Sequence, residues 1–305
     1  MDAVKISHVT RTFGDVTAVN DLSLTVPVGS IYGFIGPNGS GKTTTMRMIV
    51  NIFYPDSGDI RLFGDGLPEN SSDLIGYLPE ERGLYQKMTI QALLEFYGEL
   101  RSGRSVKAEV ASWLQRLNLA DRAADKVESL SKGMSQKVQF IATVIPEPKL
   151  LVLDEPFSGL DPVSADAIRT AILELRRRGV TVILSTHDMN LAETMCDYIF
   201  MIFRGRKVLD GTLASIQEQY GDDTIRVSAP DGLPPLPHLP GVEQVRDLGQ
   251  VQELRLVRGA DPQDVLRALL AQARVTSFSL AKPSLHDIFM RIAGDAAGEV
   301  KLAIA

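Results

Sequence analysis

The stretch Ile31–Val50, IYGFIGPNGSGKTTTMRMIV, decides how the rest of this 305-residue chain is read. It opens with a short apolar run, Ile31 to Ile35, crosses a Gly-rich turn and enters a helical stretch from Lys42 to Val50. Gly36, Pro37, Asn38, Gly39, Ser40, Gly41, Lys42 and Thr43 fit the pattern G-x-x-x-x-G-K-[ST]. The glycines let main-chain N–H groups turn inward and approach phosphate oxygens with no Cβ in the way. A helix starting near Lys42 adds its N-terminal dipole to the same anion site. Lys42 is placed to reach the β- and γ-phosphates of a nucleotide, and the Thr43 hydroxyl to ligate Mg²⁺. At ordinary glycine frequency such a match arises about once in a hundred chains of this length. Here it also sits between a strand and a helix, the context the chemistry needs.

Working outward, Leu150-Leu151-Val152-Leu153-Asp154-Glu155 is an apolar strand that ends in two carboxylates. In a parallel sheet the C-terminal edge gathers ligands, so these carboxylates are expected beside the phosphate loop. Asp154 is placed to bind Mg²⁺ through water, and Glu155 to orient and deprotonate an attacking water. Alone, an Asp-Glu after a strand is more often a helix cap; beside a phosphate loop it reads as chemistry. His187 closes the run Val180 to Thr186, whose strand is expected next to the Asp154 strand, within reach of the γ-phosphate. His8, His238 and His286 read as structural histidines.

Around this centre, Val4–Thr10 and Leu22–Val26 alternate as half-buried strands, and Ile60–Phe63 and Leu74–Leu78 are shorter ones. From Thr89 to about Ala124 the period becomes helical, with the stripe Ile90, Leu93, Leu94, Tyr97, Leu100 and a second of Val110, Trp113, Leu114, Leu117. Val163–Arg178 is a helix between two continuous apolar runs, a strand-helix-strand unit. After Tyr220 the composition shifts: Gly221-Asp222-Asp223 is a joint, and Pro230–Gly241 holds five prolines. Strands at Thr224–Ser228, Val251–Val257 and Val275–Leu280, with helices at Pro262–Ala273 and Ser284–Ile292, predict a small α+β domain of roughly 80 residues.

The net charge of -6 argues against nucleic acid as the main partner, because phosphate backbones need a basic face. The single cysteine, Cys196, excludes an intramolecular disulfide, fits a reducing compartment and reads as a small apolar residue. No apolar run approaches the length of a membrane span, so work at a membrane needs another chain to hold this one there.

With these residues in hand the chain closely resembles the ABC ATPase family. Leu130-Ser131-Lys132-Gly133-Met134-Ser135-Gln136 is similar to the family signature L-S-x-G-x-x-Q, Ser158-Gly159-Leu160-Asp161 to its D-loop, and His187 to its switch histidine. Phe13 stands where the family places an aromatic on adenine, and Thr44 completes the ATP-binding set. The resemblance implies an α/β P-loop NTPase domain over residues 1–220, with an antiparallel β subdomain and a helical insert at about 85–130. Residues 221–305 form the accessory domain. It implies Mg²⁺-dependent ATP hydrolysis by two domains paired head to tail, homo- or heterodimeric. Ser131, Gly133 and Gln136 then act on the partner's ATP, and Asp161 links the two sites. A separately encoded membrane permease is the implied partner, placing the chain in the cytoplasm, peripheral on the inner face of the cell membrane. The alternative is a soluble ATPase of this type acting on ribosomes or DNA, which the single ATPase domain and acidic balance disfavour.

Two departures stand out. Glu80, in Gly76-Tyr77-Leu78-Pro79-Glu80-Glu81, occupies the place of the family's usual glutamine; it can still bind Mg²⁺, and it adds negative charge near the γ-phosphate. Lys132 replaces the second glycine of the signature. These changes, with the terminal Pro283-Ser284-Leu285-His286-Asp287-Ile288-Phe289, resemble a branch of bacterial exporter ATPases that carry a small C-terminal domain and serve drugs, sodium or other small solutes.

Overall fold

A computed structural model describes residues 1–66, 74–81, 83–221, 223–230, 239–257 and 259–292. Most of the stretch Pro230–Gly241, His238 included, lies outside the described residues. Along the chain come β1 (Asp2–Phe13), β2 (Val16–Pro27), β3 (Ile31–Ile35), α1 (Lys42–Ile49), β4 (Ser57–Leu62), β5 (Asp65–Gly66) and β6 (Ile75–Leu78). Then follow α2 (Ile90–Ser102), α3 (Lys107–Arg116), α4 (Lys132–Val144), β7 (Leu150–Leu153), α5 (Pro162–Arg177), β8 (Thr181–Thr186), α6 (Met189–Met195), β9 (Tyr198–Phe203) and β10 (Arg206–Gly211). Among the described residues these are followed by α7 (Leu213–Tyr220), β11 (Thr224–Ser228), β12 (Val242–Asp247), β13 (Gln252–Leu256), α8 (Pro262–Leu270), β14 (Ser277–Ala281) and a helix, α9, at 285–292.

The continuous apolar runs pair as a sheet ordered β10-β9-β3-β8-β7-β6, parallel except for β10. Side chains on a strand alternate between faces, and here both faces are covered. Tyr32, Phe34, Leu150, Val152 and Ile183 pack with Ile6, Leu24, Met46 and Met48, joining the sheet to α1 and to an antiparallel sheet ordered β2-β1-β4-β5. Their neighbours Ile31, Leu151, Leu153, Val182 and Leu184 pack the other way, against α2 to α5. That double burial is why these strands read as unbroken apolar runs. The Cys196 thiol abuts Gly33 within this core, and burial pushes it up to about 12.

Of the two predicted helical stripes, the second is buried throughout, and the first is buried at Ile90, Leu93 and Leu94. Leu100 departs from the expectation and is 69% exposed. The packed face of α2 passes through Gly98, where an added Cβ would lie 2.5 Å from both Ile145 and Val106. Two residues on, Leu100 is turned about 200° away around the helix. Thr89 caps α2 by accepting from the Ala92 amide, and Gly103 ends it in the left-handed conformation.

The chain divides into two compact units, Met1–Gly211 and Thr212–Ala305. The division falls ahead of α7 rather than at Gly221. This helix belongs with the second unit: Gln217 Nε2 donates to the Pro283 carbonyl (3.0 Å) and Arg291 to that of Tyr220 (3.2 Å). In that unit β12-β13-β11-β14 form an antiparallel sheet whose Ile225, Val227, Leu254 and Leu256 pack on Val265 and Leu269 of α8. No helix among the described residues is long and apolar enough to cross a membrane.

Candidate nucleotide site

The C-terminal ends of β3, β8 and β7 lie side by side, so sheet order places the phosphate loop one strand away from the acidic pair. The loop is held by close main-chain contacts that only glycine permits. At Gly36, with φ 151°, an added Cβ would stand 2.3 Å from the Ile202 carbonyl oxygen. At Gly41, with φ 111°, it would stand 2.5 Å from that of Ala18. Gly41 begins α1 with no side-chain cap and no acidic residue in the first turn, which leaves the helix N-terminal N–H groups for an anion. Lys42 folds back over the loop, Nζ donating to the carbonyls of Gly36 (2.6 Å) and Pro37 (3.1 Å). Burial lowers its ammonium below the usual range, while Glu155, Asp154 and Glu80 act in the opposite sense.

Beyond β7 the two carboxylates are organised by Ser185, near the end of β8. Its hydroxyl donates to Asp154 Oδ1 (2.6 Å) and accepts from the Glu155 amide (2.8 Å). Asp154 is fully buried and Glu155 is 9% exposed. Glu155 holds φ 48°, a left-handed conformation uncommon for a non-glycine residue. His187 Nδ1 lies 3.1 Å from both Glu155 carboxylate oxygens. Burial raises the Glu155 carboxyl above the usual range, against the hydrogen bond and charge of His187 and the charge of Lys42. A carboxyl so poised, with an imidazole on it, is suited to accept a proton from water.

A cleft of about 340 Å³ is lined by Ala18, Asn38, Gly39, Gly41, Lys42, Thr43, Thr44, Glu80 and Glu155. It thus unites the phosphate loop, Glu80 and Glu155. Ser40 Oγ and Asp154 Oδ2 are buried oxygens with no partner. Unpaired buried polar atoms are costly. These two, with the Thr43 hydroxyl, suit the oxygen-rich, partly hydrated shell of Mg²⁺ bound with nucleotide phosphates. The donor set present fits that ion.

Other predicted residues lie apart from the cleft. Phe13 ends β1, half exposed, edge-on to Phe53 at 5.4 Å with the Arg11 guanidinium 4.7 Å from its ring centre. Ser131 caps α4, accepting from the Met134 amide, and Gly133 follows one residue into the helix. Gln136 turns inward: it is 2% exposed and donates to the Pro156 carbonyl. Asp161 caps α5, and hydrogen bonds from Ser164 hold its carboxyl below the usual range. Ser185 was missed in the sequence. The available signal was a polar residue near the end of an apolar strand next to an acidic one.

Comparisons with known proteins identify the family. A family model described as ABC transporter matches residues 19–158, and one described as ATP-binding protein DrrA1-3-like, C-terminal domain, matches 211–293. The uncharacterized ABC transporter ATP-binding protein YhaQ of Bacillus subtilis (strain 168) is 38% identical over 291 residues, covering 95% of this chain and 98% of that protein. The chain belongs to the ABC transporter ATP-binding proteins. As such it is the ATP-binding subunit of a transporter and hydrolyses ATP in a cycle coupled to transport. This ABC subunit is also 35% identical over 300 residues to the Nod factor export ATP-binding protein I of Rhizobium sp. (strain N33), covering 96% of this chain and 97% of that one. Among solved structures it resembles an ATP binding subunit of an ABC transporter, with TM-score 0.67 and 29% identity over 72% of this chain and 93% of that one.

Proposed function

We propose that this subunit powers a separately encoded membrane permease that exports a small solute or drug, docked on the inner face of the cell membrane. The observation that carries the catalytic part is the Ser185-centred join of Asp154 and Glu155, with His187 on the Glu155 carboxylate. In this reading the loop Gly36–Thr43, with Thr44, binds the ATP phosphates and Phe13 stacks on adenine. Thr43, Asp154 and Glu80 hold Mg²⁺, which, when bound, neutralises charge on the phosphate oxygens. Glu155 takes the proton of the attacking water, and His187 contacts the γ-phosphate and steadies Glu155.

Ser131 and Gly133 do not line the cleft of their own chain, which supports their use on the ATP of a second chain paired head to tail. Gln136, engaged with Pro156, serves that interface by fixing α4 to the loop after the acidic pair. The export role draws on the relatives named for Nod factor export and on the DrrA-like C-terminal match.

Tagging the chain in its own cell, solubilising membranes gently and identifying what co-purifies tests the reading. A polytopic membrane protein at near-equal amount supports it. Ribosomal proteins or DNA-bound partners, with no membrane protein, would overturn it and leave the ATPase intact.

A further inference from the structure

The catalytic cleft is short of positive charge. Glu80, Asp154 and Glu155 all act electrostatically on Lys42, and the Lys42 ammonium is already bonded to two loop carbonyls. A triphosphate entering that cleft meets the carboxylates of Glu80 and Glu155 and one lysine, with Asp154 buried beside them. Mg²⁺ relieves part of this, yet Glu80, exposed at the cleft wall, forms no ion pair among the described residues.

A complementary excess sits at the start of α4. Lys132 is the first residue of the helix, directly after the cap Ser131, and α4 has no acidic residue in its first turn. A cation there opposes the helix dipole. No carboxylate among the described residues pairs with Lys132, which is exposed. Its side chain lies over Gly159, where an added Cβ would meet Nζ at 2.3 Å and Cε at 2.6 Å. Gly133 packs the same turn against Asp161 and Leu160. The ammonium therefore lies at Gly159, and Lys132 is one residue along the chain from the signature serine Ser131 that the proposed head-to-tail pairing turns toward a second nucleotide.

We propose that Lys132 contacts the γ-phosphate of the ATP held by a second copy of this chain and offsets the charge that Glu80 adds there. This inference rests on the head-to-tail pairing proposed above. The two departures from the family pattern then form one compensated pair, a carboxylate on the cis side of the nucleotide and an ammonium on the trans side. Gly159 is the seat of the lysine stem.

The test uses the purified full chain in the Glu155→Gln background, following ATP-driven dimerisation by sedimentation, together with ATPase kinetics in the parent background. Lys132→Met keeps the apolar stem and removes the charge. It is expected to raise the ATP concentration for half-maximal dimerisation, and to lower kcat/KM, by roughly tenfold, the size of one partly screened charge interaction. Lys132→Arg should restore most of the loss. Adding Glu80→Gln to Lys132→Met should also recover most of it, so that the two changes couple strongly in a double-mutant cycle. Equal effects of Lys132→Met with and without Glu80→Gln, or no rescue by Lys132→Arg, would overturn the charge pair while the dimer stands. A Glu155→Gln protein that stays monomeric at saturating ATP would instead overturn the pairing itself and this inference with it.

Discussion

Replacing Ser185 by alanine removes one hydroxyl from a fully buried position and breaks two hydrogen bonds at once. The bond to Asp154 Oδ1, at 2.6 Å, has a carboxylate acceptor, and such bonds contribute about 1.5–3 kcal/mol. The Glu155 amide then has no acceptor, for a further penalty of about 1–3 kcal/mol. Water entering the small space left by the hydroxyl recovers part of this, so the net loss is about 3 kcal/mol. Against a urea slope of about 3 kcal/mol per M for a unit of this size, the unfolding midpoint falls by about 1 M. The only tryptophan, Trp113, is packed in the first unit against Phe140, so its fluorescence reports that unit. Because the same hydroxyl fixes the Glu155 backbone, kcat for ATP should fall about tenfold to a hundredfold, part of a general base's usual contribution. A variant with its midpoint within about 0.2 M of the parent and an unchanged kcat would refute the organising role of Ser185.

Glu155→Gln is expected to keep ATP binding, lower hydrolysis by about a hundredfold or more and stabilise an ATP-bound dimer, checked by nucleotide titration and phosphate release. The same variant has a pH signature in the nucleotide-free protein. Burial raises the Glu155 pKa, so the native state holds that proton more tightly than the unfolded chain, and stability falls as pH rises past the unfolded carboxyl range. Glu155→Gln should therefore be more stable than the parent at pH 7, with the difference closing below about pH 4, as urea midpoints across pH would show. Gly36→Ala forces a Cβ against the Ile202 carbonyl at a left-handed φ; it should lose about 3 kcal/mol or more and abolish nucleotide binding, read by Trp113 fluorescence and ATP titration. Thr43→Val should lose the increment in ATP affinity that Mg²⁺ gives the parent, measured by titration with and without EDTA.

Much of the site is local in sequence, and local features survive in a one-dimensional reading. The phosphate loop works through main-chain N–H groups and glycine conformations set within residues 36–43, so the stretch announces itself. The acidic pair is legible because a strand buried on both faces has to be apolar until the sheet edge, where polar atoms can be used. Ile31–Ile35 forms a strand with the predicted bounds for the same reason, whereas Thr224–Ser228 does so by alternation, with Ile225 and Val227 buried and Arg226 exposed.

What the sequence could not supply is adjacency between distant segments. Ser185 is one of many serines until β8 is seated beside β7, when its hydroxyl meets the carboxylate of Asp154 and the amide of Glu155. Gln136 belongs to a surface motif by pattern, but helix α4 turns its amide inward to the Pro156 carbonyl. The Lys132 side chain lies over Gly159, a residue it neighbours by packing alone. By itself the sequence determined the chemistry available, because phosphate loops and strand ends are local backbone devices. Only the tertiary structure decided which oxygen, amide and ammonium stand within reach of one another, because strand order and helix rotation are set by how apolar faces are buried across the whole chain.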